Sequence, residues 1–196
     1  LNYPGIDSFV NSKIVSFNYT PTSSTDFLNC SLWDDSSGTF SLEVYNDTAI
    51  LNSSSNYLEK SYSLDGSYLW NIQCCDTNNC TFYPTNRTFT IDSLAPNVSL
   101  VFPENESFSN STSGVDFVFN VSDLNDVSSC SLVVDDSEVA SISSVTKDTN
   151  QSINYFLPDG LHYWRINCTD EAGNTGASEA RLINISVPLV DWQRTL

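Results

Sequence analysis

Residues 159–168, DGLHYWRINC, repeat the pattern of residues 65–74, DGSYLWNIQC. In both stretches a Trp stands five residues after the Asp, and a Cys stands four residues after the Trp. Side chains on an extended strand alternate between faces, so Trp164, Ile166 and Cys168 share one face while Arg165 and Asn167 share the other. Trp70, Ile72 and Cys74 repeat that arrangement. An Asp-Gly turn followed by such an alternation reads as a strand whose inner face carries a large aromatic ring and a cysteine.

Working outward, each half also contains Cys-Ser-Leu, at 30–32 and at 130–132. An aromatic strand precedes each, carrying Phe17 and Tyr19 in one half and Phe117, Phe119 and Val121 in the other. The same order of landmarks twice in 196 residues marks an internal repeat and predicts two domains, 1–94 and 95–187, with a tail at 188–196. The polar, Pro-containing stretch 92–96 is the boundary. The repeat pairs Cys30 with Cys74 and Cys130 with Cys168, and leaves Cys75 and Cys80 to close a small local loop. In the second half, strands are predicted at 98–102, 115–121, 128–134, 138–145, 153–157, 161–168 and 181–187. Short strands separated by Gly, Pro, Asn and Asp turns, with no helix-period segment, make the fold all-β: two tandem β-sandwiches, each with an internal disulfide. Gly173 and Gly176, with Asn174, are placed in left-handed turn conformations.

Seven Lys and Arg against 24 Asp and Glu give a net charge of -17, which repels phosphate backbones and anionic headgroups. Nucleic acid is excluded as a partner on this ground. No run approaches the roughly 20 apolar residues that cross a bilayer, so no direct membrane insertion is expected of these residues. Any signal or anchor is expected to have been removed or to lie outside them. Asn-x-Ser/Thr occurs thirteen times: at Asn18, Asn29, Asn46, Asn52, Asn79, Asn86, Asn97, Asn105, Asn110, Asn120, Asn150, Asn167 and Asn184. Chance would place about five in a chain this rich in Ser and Thr, so the density predicts an N-glycosylated, secreted protein. Alternation turns Asn18, Asn120 and Asn167 outward, where glycans would coat both sheet faces. Asn29 and Asn167 carry a disulfide-forming Cys at the middle sequon position, which disfavours them.

The run Asp159, Gly160, Trp164, Cys168, Asp170, Glu171, Ala172, Gly173, Asn174 resembles the DG-aromatic-W-x-x-x-C-x-D-x-A-G-N pattern of immunoglobulin-like repeats in prokaryotic, especially archaeal, cell-surface proteins. The resemblance covers both repeats, although the first departs from it after Cys74. It implies immunoglobulin-like sandwiches acting as stalks, surface-layer parts, adhesins or filament subunits. An antibody-type function is not implied, because the first Cys follows the second strand.

Residues suited to catalysis are scarce. The one His, His162, stands where the first repeat has Tyr68 and reads as its structural substitute. With the cysteines paired, no zinc set remains, and no phosphate-binding or nucleophile-elbow motif is present. Asp34-Asp35 and Asp135-Asp136 follow the Cys-Ser-Leu strands and read as solvated turns, because adjacent carboxylates at a strand end point apart. Asp123, Asn125, Asp126 and Asp170, with Glu171 and Asn174, offer hard oxygen ligands of the kind Ca2+ takes but fit no EF-hand spacing, so no cofactor is expected beyond N-linked glycans.

These readings predict a non-enzymatic extracellular glycoprotein, a subunit of a surface filament whose partner is a second copy. The rival is an adhesin or ligand-binding module among neighbouring surface proteins, for which an exposed aromatic cluster would be the sign; Trp33, out of phase with Leu32, is the nearest candidate. The filament reading rests on the tail. Counting from Ile91 and Ile185 as equivalent, Trp192 falls where Val98 would be and Leu196 where Phe102 would be. Residues 188–196, with Leu189, Trp192 and Leu196 as the apolar contacts, thus read as the first strand of a further repeat, which either pairs with the first repeat of another copy or continues into the next repeat of a longer chain.

Overall fold

A computed structural model describes residues 1–46 and 48–186. The assembly residues Leu189, Trp192 and Leu196 lie outside this set. The chain divides into two compact units, Leu1–Ser93 and a second from Leu94 onward.

The first unit runs β1 (Ser8–Val10), β2 (Ile14–Tyr19), β3 (Phe27–Asp34), β4 (Ser41–Asn46), β5 (Asn56–Ser61), β6 (Gly66–Asp76), β7 (Cys80–Phe82) and β8 (Arg87–Ile91). The second runs β9 (Asn97–Phe102), β10 (Ser107–Ser109), β11 (Val115–Ser122), β12 (Val127–Val134), β13 (Ser137–Ile142), β14 (Asn150–Tyr155), β15 (Gly160–Asp170), β16 (Thr175–Ala177) and β17 (Arg181–Ile185). No helix occurs among the described residues. Each predicted strand of the second repeat is present. β10 and β16 escaped the sequence reading because three residues are too few to display alternation.

Each unit is a sandwich of one large and one small sheet. The large sheets have matching orders, β1-β8-β6-β3-β4 with β7 on β6, and β10-β17-β15-β12-β13 with β16 on β15. The small sheets differ: β14-β11-β9 in the second unit, only β2-β5 in the first. Alternation sends Val15, Phe17 and Tyr19 inward from β2, and Phe117, Phe119 and Val121 inward from β11. The Trp rings meet them edge to face, Phe17 with Trp70 at 4.9 Å and Phe117 with Trp164 at 4.8 Å between centroids. Both Trp residues are buried, so the inward Trp of the repeated decapeptide is the centre of each core.

The disulfides are Cys30–Cys74, Cys75–Cys80 and Cys130–Cys168. Cys30 and Cys74 are direct cross-strand neighbours on β3 and β6, and Cys130 and Cys168 on β12 and β15. Each bridge therefore ties two strands of one sheet. None of the three joins a large sheet to a small one.

Gly173 has the expected left-handed φ of 88°. Gly176 does not. It lies in β16, where an added Cβ would meet the Pro96 carbonyl oxygen at 1.8 Å, so close backbone approach rather than turn geometry requires the glycine.

Candidate functional site

His162 is buried on β15, with Nδ1 2.7 Å from Asp135 Oδ2 and Nε2 3.0 Å from the Pro158 carbonyl oxygen. Burial pushes the imidazole pKa down, but the Asp135 and Pro158 hydrogen bonds outweigh burial and raise it. The hydrogen bond with His162 in turn holds the Asp135 carboxyl below its usual range. The His contribution is full below its unfolded value of about 6.5 and is lost as pH rises through the raised folded value; the Asp contribution is full above about 4 and is lost as pH falls through the lowered one. Thermal unfolding followed against pH should accordingly show the second unit most stabilised by this pair between about pH 4 and 6.5, and His162→Gln should flatten that maximum. His162 does not line the cavity described below.

The cation candidates divide. Carboxylate oxygens of Asp123 and Asp170 come within 4.8 Å of each other. Asp170 accepts hydrogen bonds from Asn174 N and Nδ2, both at 2.8 Å, and Asp123 accepts one from Asn125 N. Asn125 and Asp126 instead face Lys147, whose Nζ donates to the Asn125 carbonyl at 2.7 Å and lies 3.6 Å from the Asp126 carboxylate. Lys147 thus meets the Asn125 and Asp126 part of the set, while Asp123 and Asp170 converge apart from it.

No sequon Asn is fully buried. Eight are exposed: Asn52, Asn79, Asn86, Asn97, Asn105, Asn110, Asn150 and Asn184. Asn18, Asn29, Asn46, Asn120 and Asn167 are half-buried. Asn79, like Asn29 and Asn167, has a bridged cysteine, Cys80, in the middle of its sequon.

The outer face of the first unit's large sheet carries an aromatic cluster around Trp33, which the sequence alone favours as core-edge packing. Trp33 belongs to neither core; it stacks on Phe40 at 6.3 Å and meets Phe82 edge-on at 5.3 Å. Leu42, paired with Trp33, is exposed beside them, and the Arg87 guanidinium lies 5.4 Å from the Tyr83 ring centroid.

The small sheets correspond at their outer strand. In the second unit β9 runs antiparallel to β11, pairing Val98 with Val121, Leu100 with Phe119 and Phe102 with Val118. Phe17 and Phe117 are equivalent, so Tyr3, bridged to Asn18, holds the place of Phe102, and Leu1 that of Leu100. A cavity of about 310 Å³ opens there, lined by Leu1, Tyr19, Pro21, Phe27, Ile72 and Phe82 among others. At its rim Asp76 accepts hydrogen bonds from Ser23 Oγ and from the amides of Asn78 and Asn79, which hold its pKa at about 2.

Asp34 corrects the solvated-turn reading. Its side chain is completely buried, and Lys60 Nζ lies 2.9 and 2.8 Å from its two oxygens. The Tyr62 hydroxyl donates to Asp34 Oδ2 at 2.7 Å, and Lys60 Nζ also reaches Glu43 Oε2 at 2.8 Å. Burial pushes the Asp34 carboxyl up, but hydrogen bonds from Lys60, Ser36 and Tyr62 outweigh it and hold the group below the usual carboxylate range. The same Lys60 lowers Glu43, while burial and Asp34 raise Tyr62. Asp135 and Asp136 do form a turn, both with positive φ. The sequence signal missed here was Lys60, an isolated cation on an inward-alternating strand.

Solved structures share this architecture. Fibronectin(III)-like modules of CbhA from Clostridium thermocellum superpose with a TM-score of 0.58 at 15% identity, covering 95% of this chain and 92% of theirs. In fold, this chain is an immunoglobulin-like and fibronectin-III-like sandwich pair. Weaker likenesses include the FN1–FN3 domains of chicken CNTN1, with a TM-score of 0.46, 11% identity and coverage of 92% and 66%, and the CD2-binding domain of CD58, with 0.41, 12%, and 94% and 98%. No protein-family model and no curated protein matches the sequence.

Proposed function

We propose that this chain is a non-enzymatic structural module of an extracellular, N-glycosylated surface assembly of prokaryotic type, joined head to tail by strand addition. The observation that supports this most is the cavity of about 310 Å³ at the edge of the first unit's small sheet, with Leu1, Tyr19, Phe27, Ile72 and Phe82 in its lining. A strand laid along that edge would fill the cavity. The donor in this reading is segment 188–196 of a second copy, whose Trp192 has the sequence position of Val98 and an indole large enough for the cavity. Because Leu1 and Tyr3 already hold the places of Leu100 and Phe102, only 191–193 enter the groove. Arg194 then stays at the surface, and Leu196 takes no part in the groove. Such a contact is heterologous and propagates. Three disulfides suit an oxidising compartment, and the exposed sequons suit a glycan coat that leaves edges and loops for contact. Deglycosylation that left the mass of native-source protein unchanged would remove the coat from this reading.

Deleting 188–196 should yield monomers with both sandwiches intact, as read by light scattering and circular dichroism. Continued polymerisation by the truncated chain would rule out donation by that segment. The binding-module reading draws on the Trp33, Phe40 and Phe82 cluster, since exposed rings on a sheet face are the usual anchors of an interface. Trp33→Ser should weaken surface attachment without affecting chain length of the polymer under this second reading.

A further inference from the structure

The buried set Asp34, Glu43, Lys60 and Tyr62 has a control inside the same chain. Strand registers align Asp34, opposite Trp70, with Val134, opposite Trp164. Lys60, opposite Val15, aligns with Tyr155, opposite Val115. Two residues on, Tyr62 aligns with the buried Leu157. Glu43 sits at the bulge on β4, opposite the Leu32/Trp33 step, and Val139 sits at the corresponding bulge on β13. The second sandwich thus builds the same fold with Val, Val, Tyr and Leu where the first has Asp, Glu, Lys and Tyr. The fold does not require the polar set, and buried ion pairs are poor contributors to stability relative to apolar packing. Something other than folding accounts for it.

The geometry suits acyl transfer. Lys60 Nζ lies 2.9 and 2.8 Å from the two Asp34 oxygens, so amine and carboxyl are already in contact. It also contacts Ser36 Oγ at 2.5 Å and Glu43 Oε2 at 2.8 Å. An ammonium has three hydrogens for these four acceptors. A neutral amine donating to Ser36 and Glu43 would instead turn its lone pair to the Asp34 carboxyl carbon, while the Tyr62 hydroxyl, 2.7 Å from Oδ2, polarises that carboxyl. The Asp34 side chain is fully shielded from water, which favours amide condensation over its reverse.

We propose that Lys60 and Asp34 become joined by an autocatalytic side-chain amide, with Glu43 as the proton carrier. The Nζ–Cγ bond forms and one Cγ–Oδ bond breaks. The ammonium gives up two protons, which Glu43 passes to the departing oxygen, so that ammonium plus carboxylate becomes amide plus one water. Charge is balanced, and no oxidant, nucleotide or metal is consumed. β3 belongs to the large sheet and β5 to the small one, so this amide would be the covalent tie between sheets that none of the three disulfides provides.

Denaturing mass spectrometry of the full chain, deglycosylated and with its disulfides counted, tests this. The expected mass falls short of the sequence by one water, and protease digestion yields a branched peptide joining Asp34 to Lys60. Lys60→Arg should restore the full mass. Glu43→Gln should fold, as judged by circular dichroism, yet remain largely unlinked over the same maturation time. Full sequence mass in the unaltered protein after prolonged incubation overturns the proposal. So does a water loss that survives in Lys60→Arg, since that would mark dehydration at an aspartyl backbone instead.

Discussion

Lys60→Met is expected to lower the stability of the first unit by about 3–5 kcal/mol, because it leaves the Asp34 carboxylate buried without its counter-ion. Replacing all four members by the second unit's residues, Asp34→Val, Glu43→Val, Lys60→Tyr and Tyr62→Leu, should be neutral or stabilising by about 1–4 kcal/mol. The contrast is the informative result: one charge removed costs more than the whole set. Urea unfolding with each unit fitted as its own transition measures both. Asp34 has a lowered folded pKa, so its contribution is present above the ordinary carboxylate range and is lost as pH falls through the folded value. The penalty of Lys60→Met should accordingly shrink in acid, where a lone buried Asp34 takes up a proton. Equal stability of Lys60→Met and the unaltered chain at neutral pH would show that the buried pair is not formed. These values hold for the unlinked pair; an amide at this site would add the loss of a cross-link to the single and the fourfold variant alike.

Cys130→Ala combined with Cys168→Ala should cost the second unit about 4 kcal/mol on the chain-entropy estimate for a closed loop of this size. The bridged residues are 38 apart in sequence. Both cysteines are buried beside Ile166 and Trp164, so the change also strips sulfur contacts from the core. A single sandwich of this size has only about 5–15 kcal/mol in total, so the variant should populate unfolded second unit near physiological temperature while the first unit remains folded. The five-residue Cys75–Cys80 loop should yield only about 2 kcal/mol by the same estimate. Denaturant titration separates the two. An equal loss from both bridges would contradict the loop-length dependence.

What could be read without coordinates depended on periodicity. Trp164, Ile166 and Cys168 announce a strand because three inward positions in succession are apolar, and the same rule located β11 and β12 from Phe117 to Val134. The two-sandwich architecture follows from those strands and their repetition. Isolated polar residues defeated the method. The adjacent Asp35 makes Asp34 read as solvated, yet period 2 continues two residues past Leu32 and carries Asp34 inward, where its charge is met by Lys60 from a distant strand. Nothing local in the sequence announces that partnership. Gly176 reads as a turn residue for a related reason: its constraint comes from Pro96, roughly eighty residues away, and not from its own turn. Trp33 could be seen to be out of phase with the core, but only the arrival of Phe40 and Phe82 from other segments makes it part of a surface cluster.

The pairing of β1 with β8, and of β10 with β17, is parallel. In each unit these strands lie near the beginning and the end of the folded segment. Tension applied along the chain would draw the two members of each pair in opposite directions along their own axes. Their ladder hydrogen bonds would then resist in shear, all at once, instead of opening one after another as in a peeled hairpin. Once such a ladder failed, Cys30–Cys74 would still withhold the 44-residue span between its ends, close to 150 Å of extended chain at about 3.4 Å per residue. Each sandwich would therefore behave under load as a stiff element with a short, covalently limited reach.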